Sequence, residues 1–190
     1  AQARTAAQGL ANVTFLTSPL ESLVLDTPVD AIVGRKILIH LRQPGLVLQH
    51  LVAYLRPGGV VAFVENDFAD DPITAPPVPL LTEYIRWCRE VTLRSGLNPA
   101  AGRNLHHTFL AAGLHAPEQR LECRFFSGRD SPEYELAAAV LRGLLPRLLA
   151  MGIASEAEVG IETFADRLRA QVLGLGAVCS ADRLVSAWAS

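Results

Sequence analysis

Hydrophobic positions in the first third of the chain follow two spacings. Ala31, Ile32 and Val33, after Asp30, form a short continuous apolar run that stops at Gly34, the pattern of a strand buried on both faces. Leu48, Leu51, Val52 and Leu55 then recur at helical spacing behind Pro44, a residue suited to a first helical turn. The spacing predicts a helix with Arg56 in its last turn and Pro57 as its end, and Gly58 and Gly59 give the backbone freedom for a tight reversal. Val60 to Val64 is again wholly apolar and predicts a second buried strand. Strand, helix, tight turn and strand make a βαβ unit, which is right-handed in parallel sheets. Upstream, the alanine-rich residues 1–10 read as the end of a helix capped by Gly9, Asn12 to Leu16 as a short strand, and Thr17 to Thr27 as loop with a helical turn.

Downstream, residues 66–79 hold three acidic residues and four prolines and read as an irregular linker over the strand end. Leu80 to Arg94 is predicted helical, Asn98-Pro99 a turn, and Arg103 to Ala112 a short helix capped by Gly113. Leu121, Cys123 and Phe125 alternate with Glu122 and Arg124, which predicts a half-exposed strand. Ser131-Pro132-Glu133 opens a helix expected to bend or break near Pro146, and Ser155 with Glu158 makes a capping box for a helix reaching about Leu173. Leu184 to Trp188 predicts a final apolar strand.

Composition narrows the class. Half of the 190 residues are hydrophobic, 19% are charged and the net charge is −2, so the chain folds around a core and offers no basic surface for nucleic acid. No apolar run approaches the roughly 20 residues of a membrane span. Cys88, Cys123 and Cys179 are odd in number and widely spaced, matching neither a metal site nor a disulfide framework, and are expected as thiols in a reducing cytoplasm. The opening Ala1-Gln2-Ala3-Arg4 has no signal-peptide shape and no initiator methionine, so a processed product or a fragment is expected.

Several stretches together resemble class I S-adenosylmethionine-dependent methyltransferases of the ubiquinone/menaquinone-biosynthesis type: Asn12-Val13-Thr14-Phe15, Val29 to Arg35, Leu41 to Pro44, Leu55-Arg56-Pro57-Gly58-Gly59-Val60 and Glu65. Phe109 to Leu114 is similar to that family's late helix, and Leu184 to Trp188 to its last strand. The resemblance implies an α/β, Rossmann-like doubly wound domain: a mostly parallel sheet with helices on both faces, truncated at the N-terminus, with an antiparallel last strand. Residues 1–190 would form one such domain, with 69–101 and 131–176 as helical substrate-side or packing segments. The family's first strand, glycine-rich loop and second strand would all precede Ala1, and Ser18-Pro19 stands where the family commonly has an Asp beside the adenine.

In open parallel sheets ligands lie beyond the carboxyl ends of the strands, here Gly34-Arg35 and Glu65-Asn66-Asp67. The resemblance puts Gly34, Arg35 and Ser18 on the S-adenosylmethionine side; Glu65 and Asp67 are candidates to orient a small-molecule acceptor, and Phe68 and Trp87 either roof a substrate cleft or pack in the core. Glu65 and His40 are the candidate bases, each with an ordinary structural rival: a solvated strand-end acid, a packed histidine. His106-His107 lacks the i, i+4 spacing or third ligand of a metal site, and no metal is expected. The implied reaction is methyl transfer from the cofactor's sulfonium to a small acceptor; the alternative is a non-catalytic remnant that dimerises or binds a ligand. A sheet lacking its first strands exposes an edge, which predicts a homodimer or higher oligomer.

Overall fold

The structure, a computed structural model, describes residues 1–190 apart from the side chain of Ala181. Strands β1 (Val29–Arg35) and β2 (Leu55–Asn66) pair in parallel, with α2 (Pro44–Val52) between them in the chain. The helix ends earlier than its periodicity predicts, and Arg56 to Gly59 already lie in β2. The reason is that the ladder starts before the glycines. The Val29 amide donates to the Tyr54 carbonyl at 2.8 Å, Leu55 pairs with Val29, and Ala31 next pairs with Val60. The residues between bulge out of the ladder. Gly58 sits at a φ of +77°, and a Cβ on Gly59 would lie 2.9 Å from the Asp30 carbonyl oxygen, so the bulge closes only with glycine at both positions.

Strand β5 (Val178–Ala189) runs antiparallel to β2 on one side and to β4 (Glu118–Phe126) on the other, and the two-residue β3 (Thr74–Ala75) pairs with its beginning. All strands but the last therefore point one way, the α/β Rossmann-like arrangement with an opposed final strand. The helices are distributed unevenly around it. On one face α2 and α4 (Leu105–Ala111) bury Leu48, Leu105 and Phe109 against Val61, Phe63, Val185 and Ala187. On the other face Val33 is 77% exposed and Val60 is also exposed. A second apolar cluster joins α3 (Pro79–Arg94), α5 (Glu133–Ala150) and α7 (Phe164–Leu175) around Trp87, Tyr134, Leu141 and Phe164. It meets the sheet at Phe126 and Cys179, beyond the carboxyl end of β4.

Four further elements depart from the sequence pattern. Asn12 to Leu16 forms no strand: the segment is exposed and pairs with none of the sheet's strands, although the outer edge of β1 is open. The chain before it, including α1 (Gln2–Ala7), buries no side chain. Helix α5 continues through Pro146, with Leu141 and Leu148 buried on either side of it. The Ser155–Glu158 capping box is present but opens only α6 (Glu156–Val159), because Gly160 turns left-handed at a φ of +50° and α7 begins afresh at Phe164. Leu121 and Phe125 are exposed on β4, an outer strand, where their alternation alone predicts one buried face. Cys88 and Cys179 are buried and Cys123 half-buried; burial pushes the Cys88 thiol up to about 12.

Candidate functional site

The loop leaving β1 is built around one carboxylate. Lys36 turns the chain at a φ of +53°, held by its amide on the Val64 carbonyl at 2.8 Å and by its Nζ on Asp182 at 2.9 Å. The next three amides converge on Glu65, at the carboxyl end of β2. Ile37 and Leu38 donate to Oε1 at 2.9 and 2.8 Å, and Ile39 donates to Oε2 at 3.3 Å. Glu65 has no solvent exposure. A buried carboxylate is stable where such amides neutralise it, and here they also fix the single helical turn Leu38–His40.

The segment after β2 is held from three directions. Asp67, 4% exposed, accepts the backbone amide and Nε of Arg103 at 2.9 Å each and a terminal nitrogen at 2.7 Å. Arg103 also reaches Asp70 at 2.5 Å. Arg183 donates to the Asp70 carbonyl at 2.6 Å, and Arg89 to the Ala69 carbonyl at 2.6 Å and to Asp71 at 2.8 Å. The Arg103 hydrogen bond and charge hold the Asp70 carboxyl below its ordinary range. Gly102 allows this approach, since a Cβ there would meet Asp67 Cβ at 2.9 Å.

The residues expected in the site have different surroundings. Glu65 and Asp67 lie at the strand ends as expected, with their oxygens on amides and on Arg103. Arg35 and His40 are exposed and make no hydrogen bond or ion pair among the described residues. Gly34 has a packing reason to be glycine: a Cβ would meet the Phe63 ring at 2.2 Å. Ser18 is exposed, its hydroxyl on the Pro19 carbonyl at 3.1 Å. Trp87 is 2% exposed inside the α3–α5–α7 cluster, and Phe68 packs on that cluster's flank. Among the described residues no group of three His, Cys, Asp or Glu is placed to hold a metal ion, and no helix is long and apolar enough to cross a membrane.

Two cavities flank the loop. One of about 260 Å³ lies between Leu38–Pro44 and the α3–α4 connection, lined by Ile39, Leu97, Asn98, Asn104 and Leu105 among others. A shallower groove of about 690 Å³ holds Glu21, His40 and His50. Arg42 borders both. It falls in the Leu41–Pro44 stretch that carries part of the family resemblance, but no sequence pattern assigns it a role of its own; Arg103 was visible only as a helix start.

Solved structures share this architecture. A candidate methyltransferase from Bacillus halodurans C-125 superposes with a TM-score of 0.59 at 13% identity, over 99% of this chain and 75% of that one. The YcgJ protein from Bacillus subtilis does so with a TM-score of 0.56 at 17% identity, over 99% of this chain and 76% of its own. The chain has a class I methyltransferase-like fold. At these identities the likeness speaks for the fold alone. No protein-family model and no curated protein matches the sequence.

Proposed function

We propose that the chain binds S-adenosylmethionine at the carboxyl end of β1 and takes part in methyl transfer to a small-molecule acceptor held beside the following loop. The supporting observation is the fold likeness over nearly the whole chain, with the Glu65-anchored loop at the place where open α/β sheets take ligands. The residues fit one side of the cofactor. Arg35 offers an unengaged guanidinium, Gly34 bare backbone and Ser18 a hydroxyl; β1 is the outermost strand, so the other wall does not come from this sheet.

When bound, the sulfonium supplies an activated methyl group, so the protein's contribution is alignment and exclusion of water. Glu65 acts as a positioning residue by fixing residues 37–40. His40, exposed on that loop, lines the wider groove and takes a proton only from an acceptor that reaches into that groove. Titration calorimetry with S-adenosylmethionine and S-adenosylhomocysteine tests the reading. Binding weakened by Arg35→Gln is expected; absence of heat at millimolar ligand overturns it.

One observation favours a second reading, a dimerising or ligand-binding module without catalysis. Strand β1 is hydrogen-bonded on one side only. Self-association together with a silent cofactor titration would select it.

A further inference from the structure

The geometry points to a carboxylate-binding site for a small, single-ring organic acid in the 260 Å³ cavity between the loop after β1 and the α3–α4 connection. The volume is below the roughly 300–1,000 Å³ of drug-sized ligand sites, so the occupant is small. Its apolar wall comes from Leu38, Ile39, Leu97 and Leu105. Such a wall suits a ring, and the polar groups around it are mostly donors.

Arg42 is the only charged residue in the lining, and no acid accompanies it. Its guanidinium makes no hydrogen bond or ion pair among the described residues. The exposed side chain lays its head group beside Gly96, where an added Cβ would sit 3.5 Å from one terminal nitrogen of Arg42. It thus reaches from one wall of the cavity to the other, beside the turn that carries Asn98. Asn98 engages its carboxamide oxygen with the Ala100 amide at 2.9 Å, so what remains to it is the NH₂ donor. The Asn104 carboxamide is half-buried and has no partner among the described residues. A carboxylate accepts from a guanidinium and an amide NH₂ together, and charge-assisted bonds of that kind are about twice as strong as neutral ones. The amides of residues 37–39 are held by Glu65, so the side chains must supply this recognition. Thr108 donates its hydroxyl proton to the Asn104 carbonyl at 3.1 Å, which leaves an acceptor lone pair for a hydroxyl on the ring.

The inference rests on the methyl-transfer reading only in making this ligand the acceptor; binding itself is independent of it. Benzoate and the neutral, isosteric benzamide are titrated into the 190-residue chain without cofactor, followed by intrinsic fluorescence or by ligand-observed magnetic resonance. Benzoate is expected to bind at least tenfold more tightly than benzamide. Arg42→Gln, which removes a side chain without structural partners, is expected to abolish that preference, and Leu97→Trp to block both ligands by filling the cavity. Arg35→Gln makes the same charge change elsewhere and is expected to leave benzoate binding intact while weakening S-adenosylmethionine. Equal affinity for the two ligands, no binding of either at millimolar concentration, or an unchanged preference in Arg42→Gln overturns the proposal. Loss of cofactor binding alone overturns only the methyl-transfer reading.

Discussion

Glu65 and Leu38 are joined by a buried hydrogen bond of 2.8 Å from the Leu38 amide to the Glu65 carboxylate, across 27 positions of sequence. Two further amides share the same side chain. Glu65→Gln keeps the size but puts an NH₂ group where one carboxylate oxygen faces an amide. One buried donor then meets another, at a cost of about 1–3 kcal/mol. Denaturant unfolding is expected to show that loss with an unchanged m-value. A stability within about 0.5 kcal/mol of the parent would mean that the loop is not held this way.

Gly34 and Phe63 make a second checkable pair. The ring occupies the space that a Cβ on Gly34 would need, at 2.2 and 2.5 Å from two ring carbons. Gly34→Ala is expected to cost about 1–3 kcal/mol through overpacking. Phe63→Leu alone leaves a partial void and also destabilises. In the double variant the smaller side chain admits the methyl group, so the loss should be less than the sum of the two. A strictly additive double-mutant cycle would exclude this contact as the reason for the glycine.

These two residues also show what the sequence made legible. The β1 and β2 apolar runs, the starts of α2 and α3 and the final strand were readable because each pattern is local. Glu65 was readable as a strand-end acid, but no spacing reveals that three amides 26–28 positions upstream close on it. Asn12 to Leu16 has the composition of a strand yet pairs with none, and pairing is a property of the sheet that local composition does not carry. Trp87 reads from sequence equally as a cleft aromatic or a core residue, and only the tertiary structure shows its helix packed into a three-helix cluster. Arg42 sits in a stretch that reads only as part of a family resemblance, and the cavity alone gives it a role.

Arg103 connects stability to pH. Its hydrogen bond and charge hold the Asp70 carboxyl below its ordinary value. A carboxyl whose folded value is depressed stabilises the protein above its unfolded value, near pH 3.9, and that stability is lost as pH falls through the folded value. Arg103→Gln is expected to flatten part of the stability loss measured between about pH 5 and pH 3. At neutral pH the variant also leaves the buried Asp67 with the backbone amide of residue 103 alone. That should cost about 1–3 kcal/mol, toward the lower end because water reaches the half-exposed guanidinium. Parallel acid profiles for the two proteins would sink the assignment of Asp70 to Arg103.

Val33 lies on the outermost strand with 77% of its surface open, on the sheet face that α2 and α4 do not cover. An unpaired edge carrying an exposed apolar side chain is a template for a second strand. A second copy of β1 is the partner of matching length, because antiparallel pairing about Val33 sets the two valines opposite each other on the open face. Residues 1–190 are therefore expected to run as a concentration-dependent dimer in size-exclusion chromatography with light scattering. Val33→Lys places like charges directly opposite across the two-fold, which destabilises such a pair. The variant should remain folded by circular dichroism, since Val33 contributes little to the core, and should run as a monomer at every concentration. A parent that is monomeric at high micromolar concentration, or a Val33→Lys protein that dimerises as the parent does, would remove β1 as the dimer edge.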